Sequence, residues 1–210
     1  SVQAIENYIA NEWNKENGRI TLPVETDYPR GSEEELSRVK DVLGTFTTSY
    51  ATSNGNRSQN ISNGASLING TVLYPGDSFS TYEVVSPFTR DNGYEMAGSY
   101  LNGQVVDSLG GGICQVSTTL YNAVLLSELE VVERSNHSMI VTYVDPSADA
   151  AIAGTYKDFK FKNNTDAPIY IEGATAGKQI TFTIYGEETR PANRTIKYVS
   201  QTLSTTDPGA

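Results

Sequence analysis

The sequence predicts an α+β fold with a mixed, mostly antiparallel sheet and helices packed against it. Apolar residues at helical spacing are concentrated in the first 126 residues, whereas β-type runs are concentrated after residue 130. Asn-Gly pairs, which favour turns with positive φ, separate many of these segments. No internal repeat of about 20–50 residues is evident, so a repeat architecture is not expected.

The first predicted helix covers residues 1–14 and is ended by the pair Asn17-Gly18. Residues 19–31 contain two prolines and are expected to form an extended connection. Residues 32–43 predict a second helix, because the Ser32 hydroxyl can cap free amides and three glutamates follow it. Residues 46–51 are rich in Thr and Tyr and predict a strand.

The middle of the chain predicts a helix, a strand and a hairpin in that order. Residues 57–68 favour a helix despite the internal Gly64, and residues 71–74 favour a strand followed by the turn Pro75-Gly76-Asp77. Residues 100–106 predict a hairpin whose turn is formed by Asn102-Gly103.

A run of three glycines, Gly110 to Gly112, breaks the chain before a segment with a helical apolar face at residues 113–126. The segments that follow are predicted to be strands, with a turn at residues 163–166. The predicted strands cover residues 130–134, 139–144, 156–162, 168–172 and 179–185, with weaker strand character at 196–199.

These patterns predict three regions along the chain. Residues 1–30 are expected to be the edge of a preceding module or a linker, and residues 31–188 the folded domain. Residues 189–210 are expected to be a C-terminal linker toward a following module. No signal peptide is visible at Ser1, so the sequence is taken to be a fragment or a mature segment.

Charge and composition exclude several classes of partner and site. The net charge of −10 argues against nucleic acid and against an anionic membrane surface, because both require basic protein surface. One cysteine and one histidine exclude an intramolecular disulfide and a zinc site of the multi-cysteine kind. We therefore expect no metal and no cofactor, and the pair that remains for chemistry is a thiol and an imidazole.

Cys114 follows the three glycines, in the first turn of the predicted helix. The first amides of a helix have no partner within it and stabilise negative charge, so a thiol there is expected to ionise more readily. The same amides can hold the oxyanion of an acyl-transfer intermediate. A lone cysteine beside Ile113 and Val116 is equally compatible with a small buried hydrophobic side chain.

His137 is the candidate base toward Cys114, because it lies between two predicted strands that can return it to the helix start. Its second ring nitrogen requires an orienting acceptor. The candidates are Asp149, Asp145, Asn136 or a backbone carbonyl, and spacing does not choose among them. A structural role for a lone histidine in a polar loop is the alternative.

Several runs of the sequence closely resemble the VanW domain family over about residues 57–186. The signature covers residues 110–123, which contain the three glycines and Cys114. Similar runs lie upstream at residues 67–80 and 92–94, and downstream at residues 133–138, 158–165 and 168–171.

The resemblance implies a bacterial, extracellular protein of the cell wall or cell surface that forms 3→3 cross-links in peptidoglycan as an L,D-transpeptidase. On this reading Cys114 attacks a donor tetrapeptide stem, an acceptor amine resolves the thioester, and His137 is the base and then the acid. Asp149 remains available as the third catalytic group. The candidate oxyanion and substrate-binding residues are Gly111, Gly112 and Ile113 with the Cys114 amide, together with Ser117 and Asn136. The alternatives are a non-catalytic peptidoglycan-binding module and a Cys/His wall endopeptidase or carboxypeptidase.

Overall fold

The structure is a computed structural model that describes residues 2–11, 30–101, 104–154 and 156–205. The chain divides into two compact units, Ser1–Ser32 and Glu33–Ala210. In the first unit, helix α1 (Val2–Asn11) confirms the first predicted helix over those residues. The pair Asn17-Gly18 and nearly all of the predicted connection at residues 19–31 lie outside the described residues.

The second unit contains four helices and nine strands among its described residues, and every strand pairing is antiparallel. This architecture confirms the predicted α+β class. In chain order the elements are α2 (Glu33–Leu36), β1 (Asp41–Ser49), α3 (Gly55–Ile68), β2 (Thr71–Leu73), β3 (Ser78–Ser80), α4 (Thr81–Val85), β4 (Met96–Leu101), β5 (Gln104–Leu109), α5 (Ile113–Leu126), β6 (Glu130–Glu133), β7 (Lys160–Lys162), β8 (Ile169–Ala176) and β9 (Gln179–Gly186).

The strands form three sheets. The largest has the order β1-β9-β8-β2, and the second has the order β3-β7-β6. The third is the hairpin β4-β5, which confirms the predicted hairpin and extends it at both ends; its turn, Asn102-Gly103, lies outside the described residues.

Helices α3 and α5 cover one face of the four-stranded sheet and enclose the core. Strand β9 shows why this face is apolar: alternate side chains point to opposite faces, and Ile180, Phe182 and Ile184 are all fully buried. From α5, Val116 and Leu120 are also fully buried and belong to the same cluster. The packing fixes the orientation of α5 and therefore the position of its first turn.

The helix predicted at residues 32–43 is wrong beyond its first turn. Helix α2 ends at Leu36, and β1 begins at Asp41 and pairs with β9 along its whole length. The local preference of three glutamates for a helix extends over one turn only, whereas residues 41–49 pair with a central strand, with one irregularity between Val42 and Gly44. The strand predicted at 46–51 is thus part of a longer strand that starts earlier.

Three later strand predictions also need correction. Residues 139–144 and 196–199 form no strand, and the side chains of Ile140 and Val199 are largely exposed. The strand predicted at 156–162 is reduced to Lys160–Lys162 because the Asp158 carboxylate turns aside to accept hydrogen bonds at the start of α4. The other predicted strands and helices after residue 54 are confirmed with shifts at their ends, including the turn at residues 163–166.

No helix in the described ranges has both the length and the apolar character needed to cross a membrane.

Gly44 lets β1 lie very close to the end of α5, so that a larger side chain at residue 44 is expected to disturb the packing of the strand on the helix. A Cβ at residue 44 would lie 2.6 Å from Ser127 Oγ, 2.7 Å from Ser127 N and 2.8 Å from Ala123 O. Because two of these atoms are backbone, Gly44→Ala is expected to lower the free energy of unfolding by about 1–3 kcal/mol. Urea denaturation measures the change.

Gly55→Ala is the matched control for this substitution. A Cβ at residue 55 meets no atom within 4 Å, and the residue starts α3, so the added methyl group is expected to leave stability unchanged or slightly raised. Equal stability of the two variants would contradict the close packing of β1 on α5.

Candidate functional site

Cys114 is the second residue of α5, directly after a glycine in a left-handed conformation. Gly112 has φ = 108°, and a Cβ there would lie 2.9 Å from Cγ of Arg57. The positive φ and the close approach of Arg57 therefore both require glycine at residue 112. The predicted helix start after the glycine run is confirmed, and Arg57 from α3 is brought beside it.

The Cys114 thiol is partly buried against the hydrophobic core and donates a hydrogen bond of 3.4 Å to the Ile152 carbonyl. Burial raises the pKa of the thiol, and this effect outweighs the Ile152 contact and the positive charges of Arg57 and Lys157, which act in the opposite direction. The expectation that the helix start lowers this pKa is therefore wrong for the observed conformation, in which burial has the larger effect.

His137 is held by Asp149. Asp149 Oδ2 lies 2.6 Å from the Nδ1 atom of the ring and accepts a second hydrogen bond of 2.6 Å from the His137 amide. Only 7% of the His137 side chain and 9% of the Asp149 side chain are exposed. Of the acceptors that the sequence left open, the structure places Asp149 on the ring, and this contact fixes the ring's orientation.

Arg134 supports Asp149 from its other side. Its Nη2 donates to Asp149 Oδ1 at 2.9 Å, its Nε donates to the Asp149 carbonyl at 2.6 Å, and its guanidinium lies over the Tyr121 ring. Burial alone would raise the pKa of Asp149. Hydrogen bonds from His137, followed by the charges of His137 and Arg134, outweigh it and hold that pKa below its usual value.

The segment Ala148 to Ile152 lies along the first half of α5 and carries both Asp149 and the acceptor of the Cys114 thiol. Ala150 is held at both backbone groups: its carbonyl accepts from Ser117 Oγ at 2.6 Å, and its amide donates to Thr118 Oγ1 at 3.0 Å. The segment thus connects the thiol and the His137–Asp149 pair to one helix. Within the described part of the chain, the thiol's hydrogen bond goes to Ile152 and not to the imidazole.

The amides at the start of α5 differ in their availability. The Ile113 amide donates to the Gly110 carbonyl at 3.1 Å, and the Gly111 amide donates to Ser108 at 3.4 Å. Among the described residues, the Gly112 and Cys114 amides have no acceptor within hydrogen-bonding distance. These two amides are therefore the better placed of the predicted oxyanion donors.

The two remaining predicted contacts, Ser117 and Asn136, are already engaged within the protein. Ser117 is fully buried, and its hydroxyl donates to the carbonyls of Ala150 and Cys114. Asn136 is exposed; its side-chain amide donates to the His137 carbonyl at 2.7 Å, and its own carbonyl accepts from Lys157. In this conformation Ser117 holds the segment on α5, and Asn136 holds the loop that carries His137.

The structure also places near the thiol residues that are not among the predicted site residues. Gln115 is buried beside Cys114, where it accepts from Arg57 Nη2 at 2.9 Å and donates to Thr48 Oγ1 at 3.0 Å. Burial raises the pKa of Tyr143, and the nearby Cys114 raises it further. Gln115 could have been identified from the sequence, because it is a polar residue on the buried face of a predicted helix. Arg57 and Tyr143 could not, because only the fold brings them close to Cys114.

Two surface cavities lie away from the thiol. One, of about 410 Å³, lies on the four-stranded sheet, and the other, of about 350 Å³, lies between α5, the loop at residues 144–148 and the segment at 196–200. No group of three or more His, Cys, Asp or Glu side chains suited to a metal ion occurs among the described residues.

The ion pair of Asp149 predicts a pH dependence of stability. Because its pKa is lowered in the folded state, Asp149 stabilises the fold above the ordinary carboxyl pKa of about 3.9, and this contribution is lost as the pH falls through the lower folded value. Asp149→Asn is therefore expected to cost about 2 kcal/mol at pH 7 and progressively less below pH 4. Urea denaturation across this range measures the difference.

The control for this substitution is Asp145→Asn, which changes an exposed carboxylate in the same loop and is expected to have little effect at any pH. A stability difference for Asp149→Asn that stays constant from pH 7 to pH 2.5 would contradict the assignment.

The chain matches the VanW-like protein family model over residues 56–185. The uncharacterized protein YoaR of Bacillus subtilis is 35% identical over 185 residues, which are 88% of this chain and 61% of YoaR. The vancomycin B-type resistance protein VanW of Enterococcus faecalis is 27% identical over 157 residues, which are 70% of this chain and 57% of VanW.

The chain thus spans roughly three-fifths of the length of these curated relatives. No solved structure matches it. The family match covers more than half of the chain and includes Cys114, His137 and Asp149, and the chain belongs to the VanW-like family.

Proposed function

We propose that the chain acts on the bacterial cell wall at the cell surface, and that it is a peptidoglycan L,D-transpeptidase which uses a Cys114 thioester. Family membership and the similarity to a vancomycin resistance protein support a role in the wall. The single observation that carries the chemistry is the segment Ala148 to Ile152, which bears the Asp149 partner of His137 and contacts the Cys114 thiol. Thiol, imidazole and carboxylate are the groups of a cysteine acyl-transfer site.

In the first half of the reaction, His137 takes the thiol proton and the Cys114 sulfur attacks the carbonyl carbon of the bond before the terminal D-alanine of a donor tetrapeptide. The resulting oxyanion is held by the Gly112 and Cys114 amides. Collapse of this intermediate breaks the peptide bond. The departing D-alanine amine takes the proton from His137, and the tripeptide remains on Cys114 as a thioester.

In the second half, the side-chain amine of a second stem peptide attacks the thioester carbonyl. His137 accepts a proton from this amine, the C–S bond breaks, and the sulfur leaves as a thiol after protonation. The product is a 3→3 cross-linked dimer and the free enzyme. Asp149 keeps the Nδ1 side of the ring occupied, so that the opposite nitrogen, Nε2, is the one that exchanges protons with sulfur and amine.

Donor binding has to change the surroundings of the thiol. In the observed conformation the sulfur donates to the Ile152 carbonyl, and burial raises the thiol pKa. Attack therefore requires the thiol to exchange Ile152 for His137. We infer that the segment at 150–152 shifts along α5 to make this exchange possible. The segment is attached to α5 by side-chain hydrogen bonds, and these can break without unfolding the helix.

A second candidate function is a non-catalytic peptidoglycan-binding module. The observation that favours it is the burial of the thiol, which raises the pKa of Cys114 and is the usual environment of a structural cysteine. A wall endopeptidase or carboxypeptidase would share the first half of the reaction and differ only in using water as the acceptor.

The proposed activity is tested by the substitution Cys114→Ala with purified tetrapeptide muropeptides as substrate. The parent chain is expected to release D-alanine and to form 3→3 cross-linked dimers, whereas Cys114→Ala forms neither product because no thioester can form. Chromatography with mass spectrometry identifies the products.

The comparison variant is Ser117→Ala, which keeps the thiol and removes the hydrogen bond from Ser117 to the Ala150 carbonyl. Reduced but measurable cross-linking is expected for this variant. Dimer formation by Cys114→Ala would refute the thioester mechanism, D-alanine release without dimers would assign a carboxypeptidase, and inactivity of the parent together with equal sacculus binding by parent and Cys114→Ala would assign the binding module.

The state of the thiol without substrate is a separate prediction. Because burial raises its pKa, alkylation of Cys114 by iodoacetamide is expected to be slow at pH 7 and to accelerate only above the ordinary thiol pKa of about 8.5. Intact-mass measurements between pH 6 and pH 10.5 give the rate, with a cysteine-containing tripeptide as the reference. Rapid labelling at pH 6 would show that the sulfur is an exposed thiolate.

A further inference from the structure

A cavity of about 410 Å³ lies on the four-stranded sheet and plays no part in the proposed reaction. Its lining combines three aliphatic side chains, two aromatic rings and one carboxylate. Among the described residues, the lining consists of Leu36, Val39, Val72, Tyr170, Glu172 and Tyr185.

The cavity is on the face of the sheet opposite α5. In β8, Ile169 and Ile171 are fully buried toward the core, so the alternate residues Tyr170 and Glu172 point the other way. In β9, Tyr185 alternates with the buried Ile184 in the same manner. The cavity is therefore a separate site from Cys114, which lies on the helix side of this sheet.

The two rings and the carboxylate form an ordered group. Tyr170 and Tyr185 are direct cross-strand partners, with ring centroids 6.2 Å apart and planes inclined at 48°. The Tyr185 hydroxyl donates to Glu172 Oε2 at 2.9 Å, which holds ring and carboxylate together. Within the described part of the chain, the other carboxylate oxygen of Glu172 is not used in a hydrogen bond, so it remains an acceptor at the edge of the rings.

We propose that this cavity binds the side-chain ammonium group of a lysine in a peptide partner. Two inclined aromatic faces attract a cation through their negative π-surfaces, and Glu172 supplies a hydrogen-bonding countercharge. The aliphatic part of a lysine side chain matches Leu36, Val39 and Val72, which form the apolar part of the lining.

Charge complementarity selects this occupant over others. The charged side chain of the described lining is a carboxylate, and the chain carries a net charge of −10, so an anionic ligand is repelled. A neutral sugar can stack on one ring and donate a hydroxyl to Glu172, but it has no positive charge to pair with the carboxylate and no flexible apolar stem for the aliphatic part of the lining. A cation with an apolar stem uses all three kinds of group in the lining.

The test is a titration of the full chain with Nα-acetyl-lysine methylamide, followed by NMR shifts of the β8 and β9 amides. The matched neutral probe is Nα-acetyl-norleucine methylamide, which has the same apolar stem without the ammonium. Saturable binding of the lysine probe is expected, with at least tenfold weaker binding of the norleucine probe. Glu172→Gln, which keeps a hydrogen-bond acceptor for Tyr185, is expected to weaken lysine binding about tenfold.

Thr181→Val is the control variant, since it alters the same outer face of β9 away from the cavity and is expected to bind the lysine probe as the parent does. Tyr170→Leu is expected to abolish the preference for lysine over norleucine. If this variant folds poorly, Glu172→Gln alone tests the proposal, because Glu172 is exposed and its substitution leaves the core intact. Equal binding of the two probes would overturn the proposal. So would lysine binding that Glu172→Gln leaves unchanged, or binding of triacetylchitotriose in the same cavity in preference to the lysine probe.

This inference does not depend on the proposed transpeptidase activity. Cys114→Ala is expected to bind the lysine probe with parental affinity, and Glu172→Gln is expected to retain parental cross-linking of soluble muropeptides. Loss of lysine binding in Cys114→Ala would overturn the separation of the two sites. An inactive parent that still binds the lysine probe would leave this site standing and remove only the transpeptidase.

Discussion

The hydrogen bonds that hold the segment Ala148 to Ile152 along α5 are the constraint on which the candidate site depends. Ser117, Thr118 and Asn122 each contribute a side chain to this contact, and none of the three is on the exposed side of the helix. Through them the position of Asp149 is tied to the helix that carries Cys114. Since Asp149 in turn orients His137, the thiol and the imidazole are placed by one local interaction between a loop and a helix.

That constraint also determines the surroundings of the resting thiol. A helix start favours a thiolate, but the same segment that brings Asp149 into place covers the sulfur and offers it the Ile152 carbonyl. Burial then outweighs the nearby positive charges, and the pKa rises. On our proposal the protein keeps its thiol protonated until a donor peptide displaces this cover, which protects a lone cysteine from oxidation at the cell surface.

The sequence predicted the elements whose signal is local and repeated. The helix at 113–126 and the hairpin around residue 102 follow from apolar spacing and turn chemistry, and both are confirmed. The prediction failed where the secondary structure depends on a strand distant in sequence. Residues 37–43 are the example: they are not helical, because β9 pairs with β1 from Asp41 onward. The Arg134 contact with Asp149 and the burial of Cys114 also depend on distant parts of the chain. Both arise where the loop between β6 and β7 folds back onto α5.

The most direct test of the central claim is intact-protein mass spectrometry of the chain mixed with a donor tetrapeptide in the absence of an acceptor. The parent is expected to gain the mass of the tripeptide acyl group on Cys114. This adduct is expected to be removed by hydroxylamine and to form far more slowly in His137→Ala. Bound donor with no covalent adduct on the parent under any condition would contradict the thioester mechanism.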